Sequence, residues 1–242
     1  MRETLPFLME IENEFGPAFT LMTASLSPGE QIKVEPGAMV AQSNGMEMKT
    51  GMGGGGGLGG FMKSMGKSAL GGESFFVNTY TAGPSGGWIS MAPSAPGDIK
   101  TFDLSPGESF YMQGGAFMAS EVNVEVSTKF QGAKSLFSRE GAFFLSAEAA
   151  DVPGKVFYCS YGAIKEIEVT PNPPIVVDNG HLVAFTNGVS YEAQKAGSWK
   201  TTIFGGEAIV LRLSGSGKAW IQTRNFEALA NKLMPFLPKP SN

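Results

Sequence analysis

The residues best suited to chemistry lie in a glycine-rich stretch between residues 51 and 68. Gly66-Lys67-Ser68 resembles the end of a phosphate-binding P-loop, in which backbone N–H groups and the lysine hold phosphate. That motif requires a further glycine five residues earlier, where this sequence has Phe61. The glycines from 54 to 59 also fit the spacing of a dinucleotide fingerprint, but a polyglycine run does so by chance and no βαβ pattern surrounds it. We therefore predict no nucleotide site and no other cofactor.

An amphipathic helix is the second interpretation of this stretch. Four large apolar residues and Ala69 share one helical face, and two lysines lie elsewhere on the helix. Such a helix can bind a membrane surface or a partner's groove, where methionine adapts its shape readily. The alternative is a short helix packed over an open end of the domain. The candidate interaction residues are Leu58, Phe61, Met62, Met65, Lys63 and Lys67.

The single histidine and the single cysteine argue against a metal centre and a cysteine nucleophile. His181 follows an Asn-Gly turn, so we expect an exposed turn residue, and one histidine cannot supply a multi-histidine metal site. Cys159 lies in an alternating strand pattern with no basic neighbour, so we expect a buried, apolar side chain. We predict no metal site and no catalytic residue. An acid pair remains open among carboxylates at turn positions, namely Glu30, Glu35, Glu108, Asp151, Asp178 and Glu207.

Composition narrows the function classes. The 242 residues suffice to bury a sizeable core, and 18 basic against 22 acidic residues give a formal charge of −4. No Lys/Arg cluster supplies the basic surface that phosphate binding needs, so we expect no nucleic-acid partner. No apolar run reaches the roughly 18–20 residues of a membrane span, and the first residues lack the apolar segment of a secretory signal. We expect a cytoplasmic protein, with peripheral membrane contact as an option.

The elements that must position these residues belong to one unit that recurs three times. Each copy has a leucine or valine, then a proline, a glycine and an alanine at matched places. These are Leu26, Pro28, Gly37 and Ala41, then Leu104, Pro106, Gly115 and Ala119, then Val169, Pro171, Gly180 and Ala184. Repetition at this scale indicates one structural unit used several times.

Turn chemistry and alternation explain what each unit forms. Pro28-Gly29 and Pro106-Gly107 suit type II turns, because proline presets φ and glycine accepts a positive φ. Alternating residues such as Ile32-Lys33-Val34 follow, which is the period of a half-buried strand. Each unit ends in an aromatic–apolar strand containing Trp88, Phe157-Tyr158 or Trp220, which we interpret as core or inter-repeat packing.

The two ends of the chain complete this prediction. Strands are predicted over 6–11 and 18–22. A helix is predicted over 225–235, because Asn225 is a suitable N-cap and Pro235 stops the pattern. Phe226, Leu229, Ala230 and Leu233 fall on one face, so we expect this helix to cover an exposed sheet end rather than to recognise a partner.

Several of these residues also resemble a known family, the AIM24 family. The resemblance rests on the run from Ser27 through Glu35-Pro-Gly-Ala-Met-Val-Ala41, on the polyglycine stretch and on Ser74-Phe-Phe-Val-Asn-Thr-Tyr80, and it extends over nearly the whole chain. It implies a fold like that of the tryptophan RNA-binding attenuation protein, a short double-stranded β-helix unit, here triplicated. It implies no particular chemistry.

The prediction is an all-β single domain over 1–242 with three tandem double-stranded β-helix-like repeats and pseudo-threefold symmetry. The repeats span about 6–97, 98–165 and 166–224, with a short helical insert and the C-terminal helix. We predict a non-enzymatic scaffold or interaction protein that binds a protein partner, itself or a membrane surface through the insert. The alternatives are a small-ligand module using inter-repeat clefts, and a hydrolase with an acid pair.

Overall fold

Antiparallel strands make up almost all of the regular structure in the described residues. The computed structural model describes residues 9–52, 75–128, 144–195 and 209–238. The strands are β1 Glu10–Glu14, β2 Leu21–Leu26, β3 Gln31–Val34, β4 Met39–Gln42, β5 Glu47–Met52, β6 Phe76–Thr81, β7 Gly87–Met91, β8 Ile99–Leu104, β9 Ser109–Gln113, β10 Phe117–Glu121, β11 Val124–Ser127, β12 Phe144–Ala149, β13 Gly154–Cys159, β14 Ile164–Val169, β15 Ile175–Asp178, β16 Leu182–Thr186, β17 Val189–Lys195, β18 Ile209–Gly215 and β19 Gly217–Gln222. Within these ranges one helix, α1, spans Phe226–Leu233, and 3₁₀ turns span Asn179–His181 and Met234–Phe236. The all-β prediction is confirmed.

The described strands form four sheets. Their strand orders are β1-β2-β7-β4, β5-β6-β3-β10-β13-β8, β11-β12-β9-β16-β19-β14, and β15-β18-β17. For reference, the first segment is β2–β7, the second is β8–β13 and the third is β14–β19. The two six-stranded sheets each combine three strands of one segment with three of the next. Strands β3 and β10 join the first segment to the second, and β9 and β16 join the second to the third.

Local details recur at matched positions of the segments. The pairing of β4 with β7 shifts register between Met39 and Ala41. The pairing of β10 with β13 shifts in the same way between Phe117 and Ala119. The third segment shifts between Leu182 and Ala184. A bulge of this kind adds one residue to one strand and bends it. An overall threefold relation among the segments, and the division at 6–97, 98–165 and 166–224, stay predictions.

The predicted turns are confirmed in the first two segments. Gly29 and Gly107 have φ of 74° and 78°, and an N–H to C=O bond closes each turn, from Glu30 to Ser27 and from Glu108 to Ser105. The Glu30 carboxylate also accepts a bond from the Ser27 N–H at 2.7 Å. Glycine is required there because a Cβ would be strained at positive φ.

The core has three parts, each packed between two successive sheets. Met22, Ile89 and Phe157 belong to the first part. The second contains Phe110, whose ring stacks on Phe102 at 4.2 Å between centroids. The third contains Leu182, Phe185, Leu211 and Leu213. Full burial of such a side chain contributes about 1.5–3 kcal/mol each, so these three clusters hold the sheets together.

The C-terminal helix forms where the sequence predicted it. The Asn225 side chain accepts a bond from the Ala228 N–H at 3.1 Å, which is the expected N-cap. None of the residues of α1 is buried, so the expectation that it covers a sheet end is wrong as far as the described residues go. Periodicity specifies which face of a helix is apolar but not what packs against that face.

Candidate interaction surfaces

The insert predicted to make contacts lies outside the described residues. Residues 53–74 are not described, so the structure places none of Leu58, Phe61, Met62, Met65, Lys63 and Lys67. The same holds for the expected helical insert and for Gly66-Lys67-Ser68. The candidate surfaces that can be built from geometry therefore come from other parts of the chain.

Cys159 is a buried structural residue, as predicted. Cys159 is the last residue of β13, and its Sγ lies 3.7 Å from the carbonyl oxygen of Gly115. Burial, with a smaller contribution from the negative charge of Glu35, raises the pKa of the Cys159 thiol to about 12. A thiol held in its protonated form is a poor nucleophile and a poor metal ligand.

His181 is half-buried, and the expectation of an exposed turn residue is wrong. Its Nδ1 lies 2.7 Å from the Gln222 carbonyl oxygen, which ties the 3₁₀ turn to the end of β19. The Gln222 side chain in turn donates to the Gly180 carbonyl at 2.8 Å. Within the described ranges, no group of three histidine, cysteine or acidic residues is placed to hold a metal ion.

The turn acids act mainly as caps. The Glu108 carboxylate accepts from the Ser105 N–H at 3.0 Å, and Asp178 accepts from the Gly180 N–H at 2.9 Å. Burial raises the pKa of Glu35, in the β3–β4 turn, to about 7. Burial also raises the pKa of Glu121, whose carboxylate accepts from the Lys155 N–H at 3.0 Å. Of these acids, Glu35 has the ionisation best suited to respond to neutral pH.

The strand aromatics divide into two kinds. Phe157, Tyr158 and Trp220 are buried, as predicted. Trp88 is 41% exposed, so its assignment to the core is wrong. The pairing registers explain the error: Trp88 lies opposite Ser25 at the second position of β7, the place that exposed Lys218 takes in β19. Counting from the preceding glycine would have found this position, because neighbouring strand residues face opposite sides.

The apolar face of α1 is the first candidate surface. Phe226 and Leu233 are exposed along the helix, and Met234, Phe236 and Leu237 continue the exposed apolar surface after it. Phe236 reaches 84% exposure. The Phe226 ring makes an edge contact with Tyr161 at 5.9 Å between centroids, which anchors the start of the helix to the connection between β13 and β14. Contiguous apolar surface of this kind marks interaction sites.

Two strand edges form the second candidate surface. We call them the β4 edge, residues 39–42, and the β15 edge, residues 175–178. Val40 is 58% exposed on the first and Val176 is 63% exposed on the second. Among the described residues, β4 pairs only with β7 and β15 pairs only with β18. The sequence patterns did not predict that these edges are open.

The comparisons with known proteins agree on the family and the fold. A family model described as mitochondrial biogenesis AIM24 matches residues 11–224. An uncharacterised protein of Streptococcus pyogenes serotype M6 is 30% identical over 227 residues, covering 93% of this chain and 89% of that protein. The crystal structure of another S. pyogenes protein superposes with a TM-score of 0.76 at 25% identity, covering 95% of this chain and all of that one. Within the described residues, no helix is long and apolar enough to cross a membrane.

Proposed function

The chain belongs to the AIM24 family, and from that premise we propose that it is a non-enzymatic scaffold or interaction protein whose α1 face binds a protein partner. The observation that carries the proposal is an amphipathic helix with no buried residue. Leaving Phe226 and Leu233 in water forfeits about 1.5–3 kcal/mol for each side chain that a partner could bury. Helix-in-groove recognition uses this spacing of apolar residues.

A protein partner suits α1 better than a membrane surface does. Glu227 is the acidic residue of the helix and Lys232 the basic one, so its polar face carries no excess of positive charge. Helices that lie on anionic membranes are usually rich in lysine and arginine. The charges also complement the helix dipole, because the acid is in the first turn and the base in the last.

A pull-down with matched variants tests the proposal. Leu233→Lys places a charge in the apolar face, while Ala228→Lys places the same charge on the opposite, exposed face. We expect a partner retained from native lysate by the wild type and by Ala228→Lys to be lost with Leu233→Lys. Retention of the same proteins by all three would contradict the proposal.

We further propose that three copies of one structural unit, related by approximate threefold symmetry, build the scaffold. The recurring bulges at Ala41, Ala119 and Ala184 support it, as do the equivalent joins β3–β10 and β9–β16. A crystal structure tests it by superposition of residues 21–91, 99–159 and 164–222. Equivalent strands that fail to superpose would overturn the symmetry.

The insert remains our proposed route to a membrane surface. The support is its sequence alone, four apolar residues on one helical face with Lys63 and Lys67 beside it. Deletion of residues 52–70 should abolish co-sedimentation with anionic vesicles, while Leu233→Lys should leave it unchanged. No sedimentation of the intact protein would contradict this route. The small-ligand and hydrolase alternatives stay predictions.

A further inference from the structure

Two junctions between segments share one design. At the first, Val34 of β3 pairs with Ala119 of β10. At the second, Met112 of β9 pairs with Ala184 of β16. Both pairs occupy the same positions of the repeated sequence unit. The first member lies eight residues after Leu26 or Leu104, and the second is the matched alanine of the following copy. Both junctions therefore have the same register. Each joins the strand that follows the proline-containing turn of one segment to the bulged strand of the next segment.

Each junction also completes a core. Met118 of β10 is fully buried in the first core part, together with Ile99, Phe157 and Cys159 of the same second segment. Val183 of β16 is buried in the second core part in the same way. The following segment thus contributes several apolar side chains to the core of the segment before it, one of them from its bulged strand. Burial of both side chains depends on the neighbouring segment rather than on their own.

The third core part lacks this donation among the described residues. Its members come from the third segment and, on the shared sheet, from Tyr111 and Phe144 of the second. In the part of the chain that the structure describes, α1 and a 3₁₀ turn follow β19 and do not supply such a side chain. Val40 occupies the place of Met118 and Val183 in the repeated sequence, and it is exposed. Val40, a side chain suited to complete the third core, therefore lies on β4 in the first sheet, whereas the third core lies against the last sheet.

The two free edges correspond to the two kinds of strand that form each junction. The β15 edge is the counterpart of β3 and β9, and the β4 edge is the counterpart of β10 and β16. Counting along the repeats places Ala41 opposite Val177, in the register of the two junctions already made. Neither edge strand carries a lysine or a proline, the residues that usually protect an edge from pairing.

We propose that the β15 edge of one copy pairs antiparallel with the β4 edge of a second copy, so that the chain assembles head to tail. The inference goes beyond the proposed role of α1, because it uses the two strand edges and names a second copy of this chain as their partner. Val40 then enters the third core of the neighbouring copy, as Met118 and Val183 enter the cores within one chain. An interface of this heterologous kind closes into a ring if its rotation permits and otherwise extends as a filament.

Substitutions at the two edges give a directional test. Val40→Lys places a charge where Met118 and Val183 are buried at the existing junctions, and so blocks the β4 edge. Val176→Pro removes a backbone N–H from the β15 edge, because at the equivalent junction alternate residues donate toward β10, as the Glu35 N–H does to the Met118 carbonyl. Each variant keeps the other edge intact. By sedimentation velocity over a dilution series, we expect the wild type to be larger than one chain and each single variant to have the mass of one chain. Val152→Lys, an exposed valine before β13, is the matched control and should assemble like the wild type.

Mixing the two blocked variants provides the decisive measurement. One intact β4 edge and one intact β15 edge allow a single junction, so the equimolar mixture should form a dimer and nothing larger. A mixture that stays at one chain mass overturns the inference, and so does a wild type of one chain mass. Circular dichroism and thermal unfolding of each variant show that the loss is not caused by misfolding.

Cysteine pairs distinguish assembly between copies from closure within one chain. In the proposed register Gln42 lies opposite Val176, and the native Cys159 is buried. After oxidation of the double variant Gln42→Cys/Val176→Cys, we expect a ladder of disulfide-linked chains on a non-reducing gel. A link confined to single chains would overturn the inference. Loss of assembly in Leu233→Lys but not in Val40→Lys would also overturn it, while leaving the proposed role of α1 intact.

Discussion

Met118 and Val40 occupy the same place in two copies of one sequence unit, yet Met118 is fully buried and Val40 is 58% exposed. Both residues lie on a bulged strand that pairs with the last strand of its own segment. The difference is that β10 has β3 on its other side, while β4 has no such neighbour among the described residues. Burial at this position is therefore a property of the junction and not of the unit.

The largest expected effect is at the buried member of this pair. Met118→Ala removes a fully buried side chain from the first core part, and we expect a loss of about 2–5 kcal/mol in the free energy of unfolding. Val40→Ala should change it by no more than about 0.5 kcal/mol in dilute protein, because the side chain is exposed. Urea unfolding measures both, and equal losses would break the comparison.

A second effect concerns the backbone contact that holds the segments side by side. The Gly97 carbonyl accepts a bond from the Thr20 N–H at 3.0 Å, and Gly97 pairs with Gly162. A Cβ on Gly97 would lie 1.7 Å from the Ser160 carbonyl oxygen, so the backbone must shift. We expect Gly97→Ala to cost about 1–3 kcal/mol in urea unfolding.

The control for Gly97→Ala is Gly115→Ala. A Cβ on Gly115 meets no atom within 4 Å. We expect its effect to stay within about 0.5 kcal/mol. If both glycine variants lose the same stability, crowding between the segments is not the reason for the first loss.

The pH dependence of stability compares Glu35 with Gln113, which takes the same place in the second segment. Burial raises the pKa of Glu35 to about 7, so the folded protein retains a proton that the unfolded chain releases near pH 4–5. Stability from this group is therefore present below about pH 4 and declines as the pH rises to 7. The full pKa shift corresponds to about 3 kcal/mol, and partial exposure reduces the expected change to roughly 1–2 kcal/mol.

Glu35→Gln tests this directly, because it installs the residue of the second segment. The variant should flatten the decline between pH 4 and 7 and should be more stable than the wild type at pH 8. Thermal unfolding across that pH range measures it. A slope unchanged by the substitution would show that another group, such as Glu121 with its own raised pKa, causes the dependence.

The smallest expected effect is the difference in stability lost when either of two equivalent turn caps, Glu30 or Glu108, is removed. Glu30 caps the Ser27 N–H at 2.7 Å in a partly buried turn, and Glu108 caps the Ser105 N–H at 3.0 Å in an exposed one. We expect Glu30→Ala to cost about 1 kcal/mol and Glu108→Ala to cost less, because water replaces an exposed hydrogen bond more readily. Equal costs in urea unfolding would indicate that the turns are equally solvated.

Sequence patterns predicted the local structure well. Proline and glycine placed the turns at Gly29 and Gly107, and Asn225 placed the start of α1, because these residues act through their own backbone geometry or their nearest N–H groups. The same patterns wrongly placed Trp88 in the core and wrongly predicted that α1 is packed over a sheet end. Those errors concern which neighbour lies opposite, and alternation or helical periodicity carries no such information.

The sequence by itself determined the strands, the turns and the repeated unit, since each depends on interactions a few residues apart. Only the tertiary structure decided which edges are joined and which are open. The β4 edge and the strand β10 have the same kind of sequence, and only the presence of β3 makes one a core strand. Hydrogen bonds between strands and the apolar burial they permit depend on residues far along the chain, or in another copy, so no local pattern could have specified them.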